Sequence, residues 1–272
     1  MHRVGTIMED LFYFKLILAF VVGSTMVTWA TVAAERLGSR IGGLIGGIPS
    51  AVAISLFFIG YMQTPQLASE ATGTIPLTMG LNGLFLVVYV GLTRWGAWAA
   101  MGGAVFFWFA VASLVIFLNF NNFLFSLLVF IPSLVGSYLI LEKYYHLPST
   151  GRILIRYTPL QILSRAFFSG SIVSSAVYLS RVGGPVWGGL MAPFPTIYIS
   201  TLIILAKSKG VGFSRRMTKP LLVSSMINVL AYSTAVRYFY LLFDLALGTG
   251  LALGVTAVST YGIYWFLKNK IT

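Results

Sequence analysis

The chain has 272 residues, 58% of them apolar and only 9% charged, with a mean hydropathy of +0.89. Soluble domains carry about 45–50% apolar and about 25% charged residues, so a water-soluble domain and a disordered chain are both excluded. The net charge of +12 comes from 18 basic against 6 acidic residues, and the absence of cysteine removes disulfides, thiolate metal sites, iron–sulfur clusters and thiol nucleophiles.

At about 20 apolar residues per span, this composition predicts an all-α polytopic membrane protein with little outside the bilayer. Apolar runs broken by charged or Gly/Pro-rich joints predict nine helices: 12–34, 41–62, 73–93, 95–118, 121–141, 160–180, 184–206, 219–239 and 242–267. The first ends in Val32-Ala33-Ala34, as a signal peptide would. Its apolar stretch is longer than the about 7–15 residues of a signal core, so we read it as a retained span. The tightest joints are Thr93–Trp95 and Tyr240–Asp244. Solid apolar runs, rather than alternation, argue against a β-barrel.

Nine spans divide the Lys and Arg residues unevenly. Arg36, Arg40, Arg94, Lys143, Arg152, Arg156, Arg165, Lys207, Lys209, Arg215, Arg216, Lys219, Lys268 and Lys270 fall on one side. Only Arg3, Lys15, Arg181 and Arg237 fall on the other. The positive-inside rule then places the N-terminus outside and the C-terminus in the cytoplasm of a plasma-membrane protein. Basic residues held in short loops meet anionic lipid head groups and form no face for nucleic acid.

A repeat runs through the chain. A shift that carries Gly38 onto Gly184 also superposes Gly42, Gly43, Leu44, Pro49 and Leu56 on Gly188, Gly189, Leu190, Pro195 and Leu202. Without a gap it places Asn82 on Asn228, Ser113 on Ser259, and Thr25-Met-Val-Thr28 on Ser171-Ile-Val-Ser174. Each unit then has four helices, and helix 5 is a linker. The divisions are 1–119, 120–157 and 158–272. An odd linker makes the second unit enter the membrane from the opposite side, giving two inverted repeats in a 4+1+4 plan, an arrangement that recurs in transporters.

The segment Trp187-Gly-Gly-Leu-Met-Ala-Pro-Phe-Pro-Thr196 resembles the Gly-Leu-x-x-x-Phe-Pro-Thr signature of the GlpM-like and DUF3147-like four-helix membrane families. The first unit carries Gly43-Leu-Ile-Gly-Gly-Ile-Pro-Ser50, with Ile48 in place of the Phe. The resemblance implies a fused inverted duplicate of such a protein and assigns no activity. In plan the chain is also similar to fused dual-topology carriers. It lacks the membrane-embedded Glu of small multidrug exporters and the threonine-rich and Phe-box motifs of fluoride channels.

No Asp, Glu or His falls in the middle of a predicted span, which disfavours a proton relay. The ligand set is too poor for a metal, no catalytic cluster is evident, and we expect neither an enzyme nor a cofactor. Pro49, Pro193 and Pro195 fall near the bilayer midplane, since nine or ten residues at 1.5 Å reach about halfway through a core of about 30 Å. They would either break their helices and expose backbone groups to a solute, or kink them for close packing. Asn82 and Asn228 would offer amides to a solute or bond carbonyls freed by the breaks. Arg237 and Asp244 would form an ion pair at the outer rim, and Lys207–Lys219 would carry lipid-facing charge.

The expectation is a transporter or facilitator of a small solute. Its site would lie between the repeats, lined by Pro49, Ser50, Asn82, Pro193, Pro195, Thr196 and Asn228, in a monomer or homodimer surrounded by lipid. A channel, or a non-transporting lipid-handling or assembly protein, is the alternative. A packing protein predicts a centre in which both asparagines bond protein groups.

Overall fold

The computed structural model describes residues 2–36, 49–148 and 157–270. Every described element is helical, and seven helices are long and apolar enough to cross a membrane. The chain is an all-α polytopic membrane protein. The described part of each of the nine predicted segments is largely helical, and 184–206 is divided between Pro185–Met191 and Thr196–Lys209. Two segments are not among the seven: Ser50–Met62 is short, and Thr218–Leu242 carries too many polar side chains.

In chain order the helices are α1 (His2–Arg36), α2 (Ser50–Met62), α3 (Pro65–Ala71), α4 (Ile75–Leu92), α5 (Ala97–Phe117) and α6 (Phe123–Leu139). They continue with α7 (Pro159–Gly183), α8 (Pro185–Met191), α9 (Thr196–Lys209), α10 (Val211–Arg216), α11 (Thr218–Leu242) and α12 (Leu245–Lys270). A 3-10 turn, Thr72–Thr74, joins α3 to α4, and a π turn, Ile140–Tyr144, ends α6.

Local chemistry sets these boundaries. Helix α3 extends the third segment backwards from residue 73, because Thr64 caps it (Leu67 N–H to Thr64 Oγ1, 3.1 Å) and Pro65 takes its first position. Pro76 has no N–H for the carbonyl of Thr72, and the backbone tightens there into the 3-10 turn. Asn122 caps α6 (Phe125 N–H to Oδ1, 3.0 Å), and Thr158 with Gln161 forms a capping box on α7. The tight joint before α5 turns at Gly96, whose φ of 95° is open to glycine at little cost. Asp244 caps α12 by accepting from the N–H groups of Ala246 (3.0 Å) and Leu247 (2.9 Å).

Two long packing seams hold the bundle together. One joins α1 to α7, and the other joins α4 to α11, with α3 packed on α11 as well. Small residues let α1 and α7 approach closely. A Cβ at Gly170 would lie 2.7 Å from the carbonyl of Phe20, and one at Gly23 3.0 Å from Val173. Two hydroxyls bridge the same seam: Ser24 donates to Ala166 O (2.9 Å) and Ser174 to Leu16 O (3.1 Å). Helix α6 lies along α4, where Ser133 faces Gly80 and Ser137 faces Gly83. Phe106, Phe117, Leu124 and Leu128 are exposed on α5 and α6 and present an apolar surface to lipid.

Charged groups segregate to the two ends. Lys15 sits over the Tyr61 ring (4.7 Å) and Arg181 over Phe12 (3.9 Å) at one end. At the other end Lys207 covers Trp98 (4.9 Å) and Arg215 covers Tyr145 (5.9 Å). The expectation of lipid-facing charge fails at Lys219, which is 3% exposed. Its ammonium donates to Glu142 in the π turn and to the carbonyl of Leu147 (3.0 Å). A buried ammonium needs such partners, and the π turn delivers the carboxylate.

Candidate functional site

The second predicted broken helix is broken. Helix α8 stops at Met191, residues 192–195 are non-helical, and α9 begins at Thr196. Pro193 and Pro195 each lack the N–H that would continue the ladder. The stretch that the sequence match pairs with this break, including Gly42, Gly43, Gly46 and Gly47, lies outside the described residues. Pro49 precedes α2 with φ −77° and ψ 61°, and Pro195 precedes α9 with φ −74° and ψ 39°. Each proline carbonyl accepts the first helical bond, from Ala53 (2.8 Å) and Ile199 (2.9 Å).

Asn82 reaches this break from α4. Its Nδ2 donates to the carbonyl of Pro193 at 2.8 Å. Its Oδ1 accepts from the indole N–H of Trp108 on α5 at 2.9 Å. Trp108 in turn packs edge-on against Phe194, with centroids 4.8 Å apart. Helices α4 and α5 and the break between α8 and α9 are thus tied at one point, and Asn82 is only 2% exposed. A lone amide in such surroundings would cost several kcal/mol, about 2–7, if left unpaired.

The remaining predicted residues are buried but dispersed. Pro49 and Ser50 open α2, and Thr196 opens α9 with its hydroxyl on Phe194 O (3.2 Å). Asn228 accepts from Ser259 Oγ (3.2 Å), a pair whose equivalents are Asn82 and Ser113. Among the described residues, a hydrogen bond joins Asn82 to Pro193 across the bundle. Sequence reading missed Trp108, because one tryptophan in an apolar run carries no sign that its indole has a polar partner.

A polar stripe extends along α4 from this point. Thr74, Thr78, Asn82, Tyr89 and Thr93 are all buried and recur at roughly helical spacing. The threonine hydroxyls donate back to their own helix, Thr78 to Thr74 O (3.0 Å) and Thr93 to Val90 O (2.6 Å), which leaves their lone pairs free. Gly189 of α8 sits directly on Ala71 O and Thr74, where any side chain would collide. Near the basic end, Tyr89 and Ser214 share a hydrogen bond (2.8 Å), and Ser214 donates to Leu202 O (2.8 Å). Tyr198 on α9 is likewise hydrogen-bonded to Ser225 on α11.

Beside the Thr72–Thr74 turn lies a cleft of about 380 Å³ lined by Gln66, Ser69, Glu70, Asn121, Arg237 and Leu241. Here the expected Arg237–Asp244 pair is not made. Asp244 is used as the α12 cap, while the Arg237 guanidinium turns to Thr72 Oγ1 (3.4 Å) and the Phe123 ring (4.8 Å). Local backbone donors one turn away compete better for a carboxylate than a guanidinium on the preceding helix. Among the described residues no group of His, Asp and Glu has a metal-binding arrangement.

The fold and these contacts define a helical membrane protein with a buried polar stripe along α4. Compared with protein-family models, curated proteins and solved structures, the chain matches none of them.

Proposed function

We propose that the protein is a secondary carrier for a small polar solute, built as two inverted four-helix repeats, with Asn82, Pro193 and the neighbouring Pro49, Ser50, Pro195, Thr196 and Asn228 at its centre. The observation that carries this reading is the bond from Asn82 of one half to the carbonyl exposed by the helix break in the other. A broken helix at membrane depth is tolerated where its backbone is buried in protein or faces a pathway, and Asn82 now fills the place a solute would take. Equivalent helices packing on each other, α1 on α7 and α4 on α11, support the two-fold plan. So does the matching start of α2 and α9 after Pro49 and Pro195. Rocking of one half on the other would open the stripe of Thr74, Thr78 and Asn82 towards the cleft on one side. With no carboxylate on this stripe, coupling would run through carbonyls and hydroxyls, as uniport, exchange or sodium symport. We keep the family resemblance to small four-helix membrane proteins as part of the same proposal.

One observation favours a second reading, a non-transporting packing or lipid-handling protein. Both asparagine side chains bond protein groups, as such a protein requires.

Flux into proteoliposomes separates the two. Thr78→Val removes a seam hydroxyl whose bond is to its own helix, so the fold is expected to hold. A carrier loses flux in this variant at unchanged melting temperature. Background flux from the unaltered protein, for charged and neutral metabolites alike, sinks the carrier reading.

A further inference from the structure

The cleft at the sparsely charged end holds one group of each sign with no ion pair between them. Gln66, Ser69 and Glu70 lie at relative positions i, i+3 and i+4 of α3 and so share one face. Across the cleft stand Arg237 and Leu241 of α11, and Asn121 comes from the turn before α6. Ser69 donates to the backbone carbonyl of Arg237 at 2.7 Å, which fixes the two walls against each other. Asn121 is seated on Gly73, where no side chain would fit beside it.

Arg237 is half-buried and has five N–H donors, of which one makes a long bond to Thr72. The acid nearest in sequence, Asp244, is occupied by the α12 cap. Glu70 is exposed, and the ion pair among the described residues is elsewhere, between Lys219 and Glu142. A cleft of about 380 Å³ is at the small end of the ligand range of about 300–1,000 Å³, a size that suits a small metabolite.

We propose that this cleft binds a small zwitterion, its carboxylate on Arg237 and its ammonium on Glu70, with Gln66 and Asn121 as additional polar contacts. A planar guanidinium fork matches a carboxylate. A monoanion would meet repulsion from Glu70 and a monocation from Arg237, whereas a zwitterion satisfies both walls with no net charge transferred. As the substrate class of a carrier this rests on the reading above, while binding itself is measured separately from flux.

The probes are linear amino acids from glycine to 6-aminohexanoate, with propionate, butyrate, propylamine and butylamine as singly charged controls. Binding to the full chain in detergent is read by titration calorimetry and by thermal shift. At least one amino acid binds saturably, about tenfold or more tighter than every control, and the best chain length reports the spacing between the two charges. Glu70→Gln alters an exposed side chain and melts like the unaltered protein, yet weakens that probe about tenfold or more. Arg237→Gln does the same, and Arg237→Lys restores part of the loss. Equal binding of zwitterions and controls, no saturable binding of any amino acid, or unchanged binding in Glu70→Gln overturns the assignment. Zwitterion binding without zwitterion flux leaves the assignment standing and counts against the carrier. Flux of another solute with no zwitterion binding removes the assignment and leaves the carrier reading.

Discussion

The carboxamide of Asn82 donates to the backbone carbonyl of Pro193, a residue 111 positions away, at 2.8 Å. That bond, together with the indole of Trp108 on the other end of the same amide, closes the centre of the protein. It connects a helix break, which is a local consequence of two prolines, to the packing of helices that are remote in sequence.

Asn82→Leu orphans the Pro193 carbonyl and the Trp108 indole at once. Each orphan costs about 1–3 kcal/mol, so the unfolding free energy falls by about 2–6 kcal/mol. Trp108→Phe removes one partner and costs about 1–3 kcal/mol. The two changes act on one network, and the double variant is less destabilised than their sum. A denaturation series in detergent measures all three. Strict additivity would show that the network does not exist.

Lys219 and Glu142 couple the π turn that ends α6 to the start of α11. Glu142→Gln leaves the ammonium with the Leu147 carbonyl but without its carboxylate, at a cost of about 1–3 kcal/mol because Glu142 is part-exposed. Lys219→Met in the Glu142→Gln background recovers part of that loss, since no buried charge then needs a partner. A double-mutant cycle on melting temperature reads the coupling, and a coupling of zero would remove the latch.

Glycines differ by what lies over them. Gly189→Ala drives a Cβ into the backbone carbonyl of Ala71, which has no rotamer to give, and destabilises by about 1–3 kcal/mol. Gly250→Ala on α12 meets open space and gains up to about 1 kcal/mol from reduced backbone entropy. The opposite signs are checked by parallel thermal unfolding.

The seam between α1 and α7 depends on close approach. Gly170→Leu pushes against the Phe20 carbonyl and separates the Ser24 and Ser174 bridges. We expect a loss of about 2 kcal/mol or more, combining overpacking with two broken hydrogen bonds. Ser174→Ala, which removes one bridge without adding volume, costs about 1 kcal/mol. Similar melting of the two variants would mean that packing is not what holds this seam.

Composition and periodicity by themselves determined the class and the helices. A run of about 20 apolar residues leaves the backbone one solution in lipid, which is to bond internally as a helix, so the nine segments were legible without partners. Pro193 and Pro195 marked an interrupted ladder for the same reason, because a missing N–H is a property of the residue, but they left a kink and a break equally open. Tertiary structure decided where side chains went. Asp244 had a cation seven residues back and a helix start immediately ahead, and only the fold shows the helix start winning. Lys219 reads as surface charge until the π turn brings Glu142 to it. Asn82 admitted both a solute and a carbonyl as its partner, and Trp108 admitted lipid or core. Those choices turn on which groups lie within hydrogen-bond reach across the bundle, a distance that no local pattern encodes.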